Sequence, residues 1–253
     1  MGWRQRVDVL KLPSDLAGRA ALLKLASGRA TEPVDVRLKA LHGNRVRLRP
    51  GTTDFENLVE GVIGGYAQPP RETTALTTVV EIGTNIGIGL ALIAAQYPGA
   101  RVYGVEADPA NFALAHHNLA PYDATLLNAA AWDEETTVDL HGARASGRET
   151  RAGGTIPAHT LTTLLTRLVG ERTPIDYLYM DIEGAHQRVL QAPDTGWAQR
   201  VRTIKVAGHA GTPYDEHACA ADLQRLGFET RVEPYDPIGW TIGFTARPQT
   251  ETS

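Results

Sequence analysis

Val79–Leu90 reads V-V-E-I-G-T-N-I-G-I-G-L. The β-favouring run A-L-T-T-V-V that leads into it predicts a buried parallel strand, the glycines a tight turn, and Ile88 to Gln96 an apolar, alanine-rich helix. Strand, turn and helix in that order are half of a mononucleotide-binding fold. Because Gly83 and Gly87 carry no Cβ, a ligand's polar end can approach the backbone N–H groups at the helix N-terminus. Glu81 falls at the carboxyl end of the strand, where open α/β sheets bind their ligands.

Glycine spacing narrows the ligand. Dinucleotide enzymes favour G-x-G-x-x-G, whereas the glycines here are Gly83, Gly87 and Gly89, with Asn85 where a middle glycine belongs. That fingerprint is not matched. The spacing acidic-x-Gly-x-x-x-Gly resembles the first motif of class I S-adenosylmethionine (SAM) methyltransferases, and a nucleotide site of another kind stays open on this stretch alone.

The chain has 253 residues, a net charge of -4 and a pI near 6.1, which suits one large α/β domain with an N-terminal extension. Its single cysteine, Cys219, excludes an internal disulfide framework, and no run approaches the roughly 18 apolar residues of a membrane span. The N-terminus lacks a signal-peptide apolar region, so a reducing cytoplasm is the expected location, with no membrane partner. Mild acidity argues against nucleic acid as the main partner. A homo-oligomer is left open.

Ser14 to Ser27 reads as a helix capped by Ser14 or Asp15 and closed by Gly28, and V-D-V-R-L-K-A-L and R-V-R-L-R alternate around His42-Gly43-Asn44 as a hairpin. These elements, residues 1–70, are expected to form a cap on a SAM-binding domain of residues 71–253. Thr52, Thr53 or Asp54 can cap a short helix, and Tyr66 follows a Gly-Gly stop and reads as a rim aromatic. R-V-Y-G-V-E predicts a second strand ending in Glu106, about 20 positions beyond the glycines, where a carboxylate can accept hydrogen bonds from ribose hydroxyls. Asp108 reads as the cap of the following helix.

A third strand, Thr125 to Leu127, leads into N-A-A-A-W-D. Small residues beside Asn128, Trp132 and Asp133 suit a slot for a flat base, with Trp132 as core the competing reading. Residues His141 to Ala158 break periodicity and predict a long loop whose Arg144, Arg148 and Arg151 either clamp an anion or form a solvated cluster. I-D-Y-L-Y-M-D-I-E-G predicts a fourth strand ending in Asp181 and Glu183, placed to orient a cofactor, hold a metal or remove a proton; Glu183 could instead cap a helix. A fifth strand exits at His209, a proton acceptor or a solvated turn residue. A helix and a closing hairpin then add an antiparallel edge to the parallel sheet.

From about Val46 to Arg247 the chain resembles the FkbM-type family of SAM-dependent methyltransferases. The matching pieces are R-P-G-T-T-D with Tyr66, E-I-G-T-N-I-G, V-E-A-D-P-A-N-F, A-A-W-D, T-L-T-T-L-L, I-D-Y-L-Y-M-D-I-E-G-A and the late L-G-F. The resemblance implies a Rossmann-like class I fold and methyl transfer, usually to a hydroxyl of a sugar, cyclitol, polyketide or similar natural product. It implies that Glu81, Gly83, Asn85 and Gly87 hold the methionine part of SAM, Glu106 with Ala107 its ribose, and Asn128, Ala129, Trp132 and Asp133 its adenine. Thr53, Asp54 and Tyr66 would close over the reactive end, Asp54 towards the acceptor. The family often carries a glutamate two positions before the fifth-strand histidine, and this chain has Ala207, which shifts weight from His209 to Asp181 and Glu183. Sequence leaves open the need for a divalent metal. An NAD(P)-linked oxidoreductase and a non-enzymatic SAM-binding module remain the alternatives.

Overall fold

The computed structural model describes residues 9–142, 149–182, 184–208, 214–235 and 240–246. Among them, helix α1 (Leu16–Ala26) starts at Asp15, whose carboxylate accepts from the Gly18 N–H, and ends at Gly28 in the left-handed region. Strands β1 (Val34–Arg37) and β2 (Arg45–Leu48) pair antiparallel. The first strand is shorter than its alternation predicts, because Lys39–Leu41 winds into a 3-10 turn that closes on His42 with φ 53°. A short helix, α2 (Asp54–Val59), runs on into a π turn over Glu60–Gly64.

The central sheet follows the expected order. Strand β3 (Thr78–Ile82) enters the glycine turn and helix α3 (Ile88–Gln96); β4 (Arg101–Glu106) leads to α4 (Pro109–Leu119) and β5 (Ala124–Asn128). Short strand β6 (Ala130–Ala131) comes next. Beyond α5 (Leu161–Val169), strand β10 (Ile175–Met180) is followed by α6 (His186–Gln191), a 3-10 turn (Gly196–Arg200) and β11 (Val201–Gly208). Helix α7 (Glu216–Arg225) then precedes β12 (Glu229–Tyr235) and β13 (Trp240–Ala246). The strand order is β12-β13-β11-β10-β3-β4-β5. Strands β11, β10, β3, β4 and β5 are parallel, and β13 inserts antiparallel between β11 and β12. Because chain order reverses between β3 and β10, their carboxyl ends open the crevice in which such sheets bind ligands.

Successive strand residues divide between the two faces. Val79, Tyr177 and Tyr179 pack with Ile88, Leu90 and the N-terminal Leu22, Val36, Leu48 and Leu58, so the N-terminal elements share one core with the sheet. Val80, Ile82, Leu178 and Met180 pack on the other side with Leu164, Trp197, Leu223 and Phe228. No described helix is long and apolar enough to cross a membrane.

One expectation is overturned. Eight of the twelve described residues in the segment predicted as a loop, His141 to Ala158, are β structure: β7 (Thr136–His141), β8 (Glu149–Ala152) and β9 (Ile156–His159) join β6 in a sheet ordered β6-β9-β7-β8. The glycines that suggested disorder instead allow a tight return. Gly153 takes φ +85°, and a Cβ on Gly154 would lie 2.3 Å from the Val138 carbonyl oxygen.

Candidate active site

The glycine turn is tied to β4. Gly83 and Thr84 N–H both donate to the Val105 carbonyl, at 2.9 and 3.0 Å. Gly83 and Gly87 have φ of +89° and +83°, and Asn85 is one of two non-glycine residues at positive φ among those described. That strained corner presents the Asn85 N–H to Glu106 Oε2 at 2.7 Å, while Asp108 N–H reaches Glu106 Oε1 at 2.8 Å. Asp108 is the cap of α4, accepting from Ala110 and Asn111 N–H. Asn128 spends its amide nitrogen on the Glu106 and Ala107 carbonyls, and Ala129 N–H donates to the Glu106 carbonyl, so the ends of β4 and β5 form one rigid wall.

Glu81 is 1% exposed. Its carboxyl receives the Leu90 N–H, yet Oε2 has no hydrogen-bond partner, and the same holds for buried Asn85 Oδ1. Asp181 follows β10: its N–H donates to the Ile82 carbonyl at 2.9 Å, and Tyr179 OH donates to its Oδ2 at 3.3 Å. Burial, with Asp181 and Glu106 nearby, pushes the Glu81 carboxyl well above the usual range. Burial pushes Glu106 up to about 7 against the pull of its N–H donors. Burial and the charges of Asp181 and Glu56 push Glu60, on the π turn, up to about 7 as well.

These residues fit SAM. Glu81 Oε2 and Asn85 Oδ1 lack donors, the charges of Asp181 and Glu106 bear on Glu81 and that of Asp181 on Glu60 so that a cation would relieve them, and glycines clear the helix N-terminus. A sulfonium with an ammonium and two ribose hydroxyls supplies the missing charge and donors.

Electrostatics give a pH prediction. Glu60 and Glu106 each hold a proton more tightly folded than unfolded, so their contribution is complete below the unfolded value of 4.5 and is lost as pH rises through about 7. The ligand-free protein should therefore melt several degrees lower at about pH 8 than at about pH 5.5, and saturation with S-adenosylhomocysteine should flatten that slope. Differential scanning fluorimetry across the window checks both curves; a melting point that climbs from pH 5.5 to 8 without ligand would refute the assignment.

Other expected residues land differently. Asp54 is engaged within the chain: its side chain is fully buried and both oxygens are held by Arg49, at 2.8 and 2.9 Å, with Arg49 also reaching Asn111 at 2.7 Å. The carboxylate pins the cap to α4. Asp54→Asn should cost about 2–3 kcal/mol in urea denaturation, because Arg49 is left partly buried beside a neutral partner; a loss under about 0.5 kcal/mol would contradict this. Thr53 sits half-buried at the start of α2 without a side-chain cap bond.

Trp132 belongs to the core. It is 3% exposed among Ala130, Val138, Ala158 and Ala185, with the Arg188 guanidinium 4.9 Å over its ring. Asp133 pairs with the same arginine at 2.9 Å and lines an open volume of about 420 Å³ with Gln187 and Gln191. Tyr66 is buried, its ring 5.9 Å from that of Tyr179. Arg151 is exposed on β8, opposite Asp139 in register. Arg144, Arg148, Glu183 and His209 lie outside the described residues. Ala207 is buried in the core on the cap side. His186 accepts the Ile182 N–H and holds the turn after β10. Among the described residues no cluster of three His, Cys, Asp or Glu could hold a metal.

Sequence reading missed two residues. Glu60 carried no local signal, since an acidic residue after a short helix usually faces solvent. Lys205 did carry one: it interrupts the apolar run of an interior strand, yet is 9% exposed.

A family model described as the methyltransferase FkbM domain matches residues 81–229, more than half of the chain. Trans-aconitate 2-methyltransferase of Methylobacterium radiotolerans is 31% identical over 198 residues, 72% of each chain. Among solved structures, Aeropyrum pernix fibrillarin with natively bound S-adenosyl-L-methionine superposes with a TM-score of 0.48 at 14% identity, covering 84% of this chain and 93% of that one. Precorrin-6y C5,15-methyltransferase from Geobacter metallireducens gives 0.47 at 13%, covering 74% and 86%. The family model and the curated relative, on a chain with this strand order and glycine turn, define a SAM-dependent methyltransferase with a Rossmann-like sheet. Within that class, the chain belongs to the FkbM methyltransferase family.

Proposed function

We propose that the protein transfers a methyl group from SAM to a hydroxyl oxygen of a small polyhydroxylated metabolite of natural-product type, neutral or anionic, in a reducing cytoplasm. Residues 1–70 act as the cap and 71–253 hold the cofactor. The observation that carries this reading is the acidic crevice with unpartnered Glu81 Oε2 and Asn85 Oδ1 at its floor. Glu81, Gly83, Asn85 and Gly87 would hold the methionine part, Glu106 the ribose, and the wall from Asn128 to Asp133 the base.

SAM supplies an electrophilic methyl on sulfur. The chain has to hold an oxygen in line with it, exclude water and accept the hydroxyl proton. Asp181, steadied by Tyr179, and Glu60, which titrates near neutrality, are the described groups suited to that proton. Glu183 and His209 stay candidates, and a positioned base is worth on the order of 10²-fold or more. A divalent cation stays open.

The named relative favours a second reading, in which the acceptor resembles trans-aconitate, a tricarboxylate without hydroxyls. Oxygen methylation would then give an ester and need no base. The test incubates the protein with isotopically labelled SAM and a panel of sugars, cyclitols, their phosphates and trans-aconitate. Alkali-stable product supports the ether and alkali-labile product the ester. SAM binding without product across the panel favours a non-enzymatic module, and stabilisation by a dinucleotide but not by SAM revives the oxidoreductase.

A further inference from the structure

Lys205 is a costly residue where it stands. It lies on β11, in the middle of the sheet, opposite Tyr179, which is itself opposite Glu81. Directly paired residues share a face, so ammonium, phenol and carboxyl form a row under the cap side of the sheet. The Lys205 Nζ donates to the Gln68 carbonyl at 3.0 Å and lies 5.9 Å from the Tyr179 ring centroid. Burial drives its pKa down to about 8 against the supporting charge of Glu233. An apolar side chain would avoid that desolvation, so stability does not explain the lysine.

Gln68 belongs to a stretch with neither helix nor strand. Tyr66-Ala67-Gln68 crosses from the π turn to the sheet, held by Tyr177 OH, which donates to the Ala67 and Gln68 carbonyls at 3.1 and 3.3 Å, and by Lys205. On its way it passes the first turn of α3 so closely that a Cβ on Gly89 would lie 2.8 Å from that of Ala67. Tyr66 then reaches Tyr179, whose hydroxyl holds Asp181. Lys205 thus grips the segment two residues from the ring that packs beside Tyr179, from a strand 137 residues away.

We propose that Lys205 is a positioning residue that fastens the Tyr66 segment across the mouth of the SAM site and so sets how long the cofactor is retained. The inference rests on the reading of Tyr66 as a residue that closes over the cofactor. Its effect is on release, acting through Tyr66.

The test compares S-adenosylhomocysteine release, by stopped-flow displacement, from the wild type, Lys205→Met, Tyr66→Ala and the double variant. Lys205→Met should release about tenfold faster while melting no lower than the wild type, since it loses one charged hydrogen bond and sheds a buried charge. The double variant should release no faster than Tyr66→Ala, because the two residues act in one device. Lys205→Arg, which can still donate to the Gln68 carbonyl, should recover most of the retention. Unchanged release in Lys205→Met, multiplied effects in the double variant, or a melting point that falls with retention would each overturn the proposal. If the wild type bound no S-adenosylhomocysteine, the functional reading itself would fall. Amide exchange over residues 66–68 would then decide the mechanical part, faster exchange in Lys205→Met sustaining it and equal exchange ending it.

Discussion

Gly83→Ala is expected to cost more than about 4 kcal/mol, which for a domain stable by 5–15 kcal/mol removes much of the folded population. Two independent penalties meet at this residue. Its φ of +89° is left-handed, a conformation that costs an L residue about 1–2 kcal/mol. A Cβ there would also lie 1.9 Å from the Asp181 carbonyl oxygen and 2.9 Å from its carbon. Neither partner can retreat cheaply. Gly83 N–H is bonded to the Val105 carbonyl and Asp181 N–H to the Ile82 carbonyl, so moving them breaks the stitching of β4, β3 and β10 at the crevice. Gly87→Ala is the control: its φ of +83° carries a similar backbone penalty, but the new Cβ would meet the Leu119 side chain at 3.1 Å, which can give way. It should lose about half as much. Urea denaturation of both variants measures the difference, and a Gly83→Ala loss below about 1 kcal/mol would mean that the turn is looser than its contacts require.

Gly83 also marks where sequence reading ends. The glycine was legible as a turn residue, because a β run, two spaced glycines and an alanine-rich helix are local signals. That its missing Cβ admits the tip of β10 was not, since nothing within a window around residue 83 refers to residue 181. The same division runs through the site. Glu106 and the Asp108 cap follow from a strand followed by D-P, and both stand where expected. The Asp54 ion pair was not legible because Arg49 looks like an ordinary surface arginine until Asn111, 62 residues on, completes the cluster. The sheet of β6 to β9 was hidden for another reason: Gly153 and Gly154 serve a tight return between strands as readily as a disordered loop, and only pairing to Thr136–His141 separates the two. Lys205 shows the converse, a local anomaly that was visible but whose meaning depends on a carbonyl 137 residues away.

Glu81→Gln should weaken S-adenosylhomocysteine binding by about 10²-fold while leaving the free protein as stable as the wild type or more so. The carboxyl is 1% exposed, with one N–H donor and one oxygen facing no partner, and two further carboxyls raise the cost of ionising it. Burial therefore favours its neutral form in the free protein, and a carboxamide of nearly the same shape replaces that form without adding a charge. The cost appears on binding. An ammonium delivered to the vacant oxygen ionises the carboxyl and gains a charge-assisted hydrogen bond, whereas an amide offers at best a neutral acceptor and at worst an N–H aimed at another donor. The sign with pH follows from the same protonation. Wild-type affinity should fall as pH is lowered, because the carboxyl must then lose a proton to bind, and the variant should show a shallower slope. Calorimetry in buffers of different ionisation enthalpy reads both quantities, since the wild type should release a larger fraction of a proton. If the variant binds with wild-type affinity and proton release, the ammonium rests elsewhere, and the empty oxygen of Glu81 would have to be explained by folding alone. Its solvation cost makes that a poor bargain, because a leucine or glutamine would fill the same volume without it.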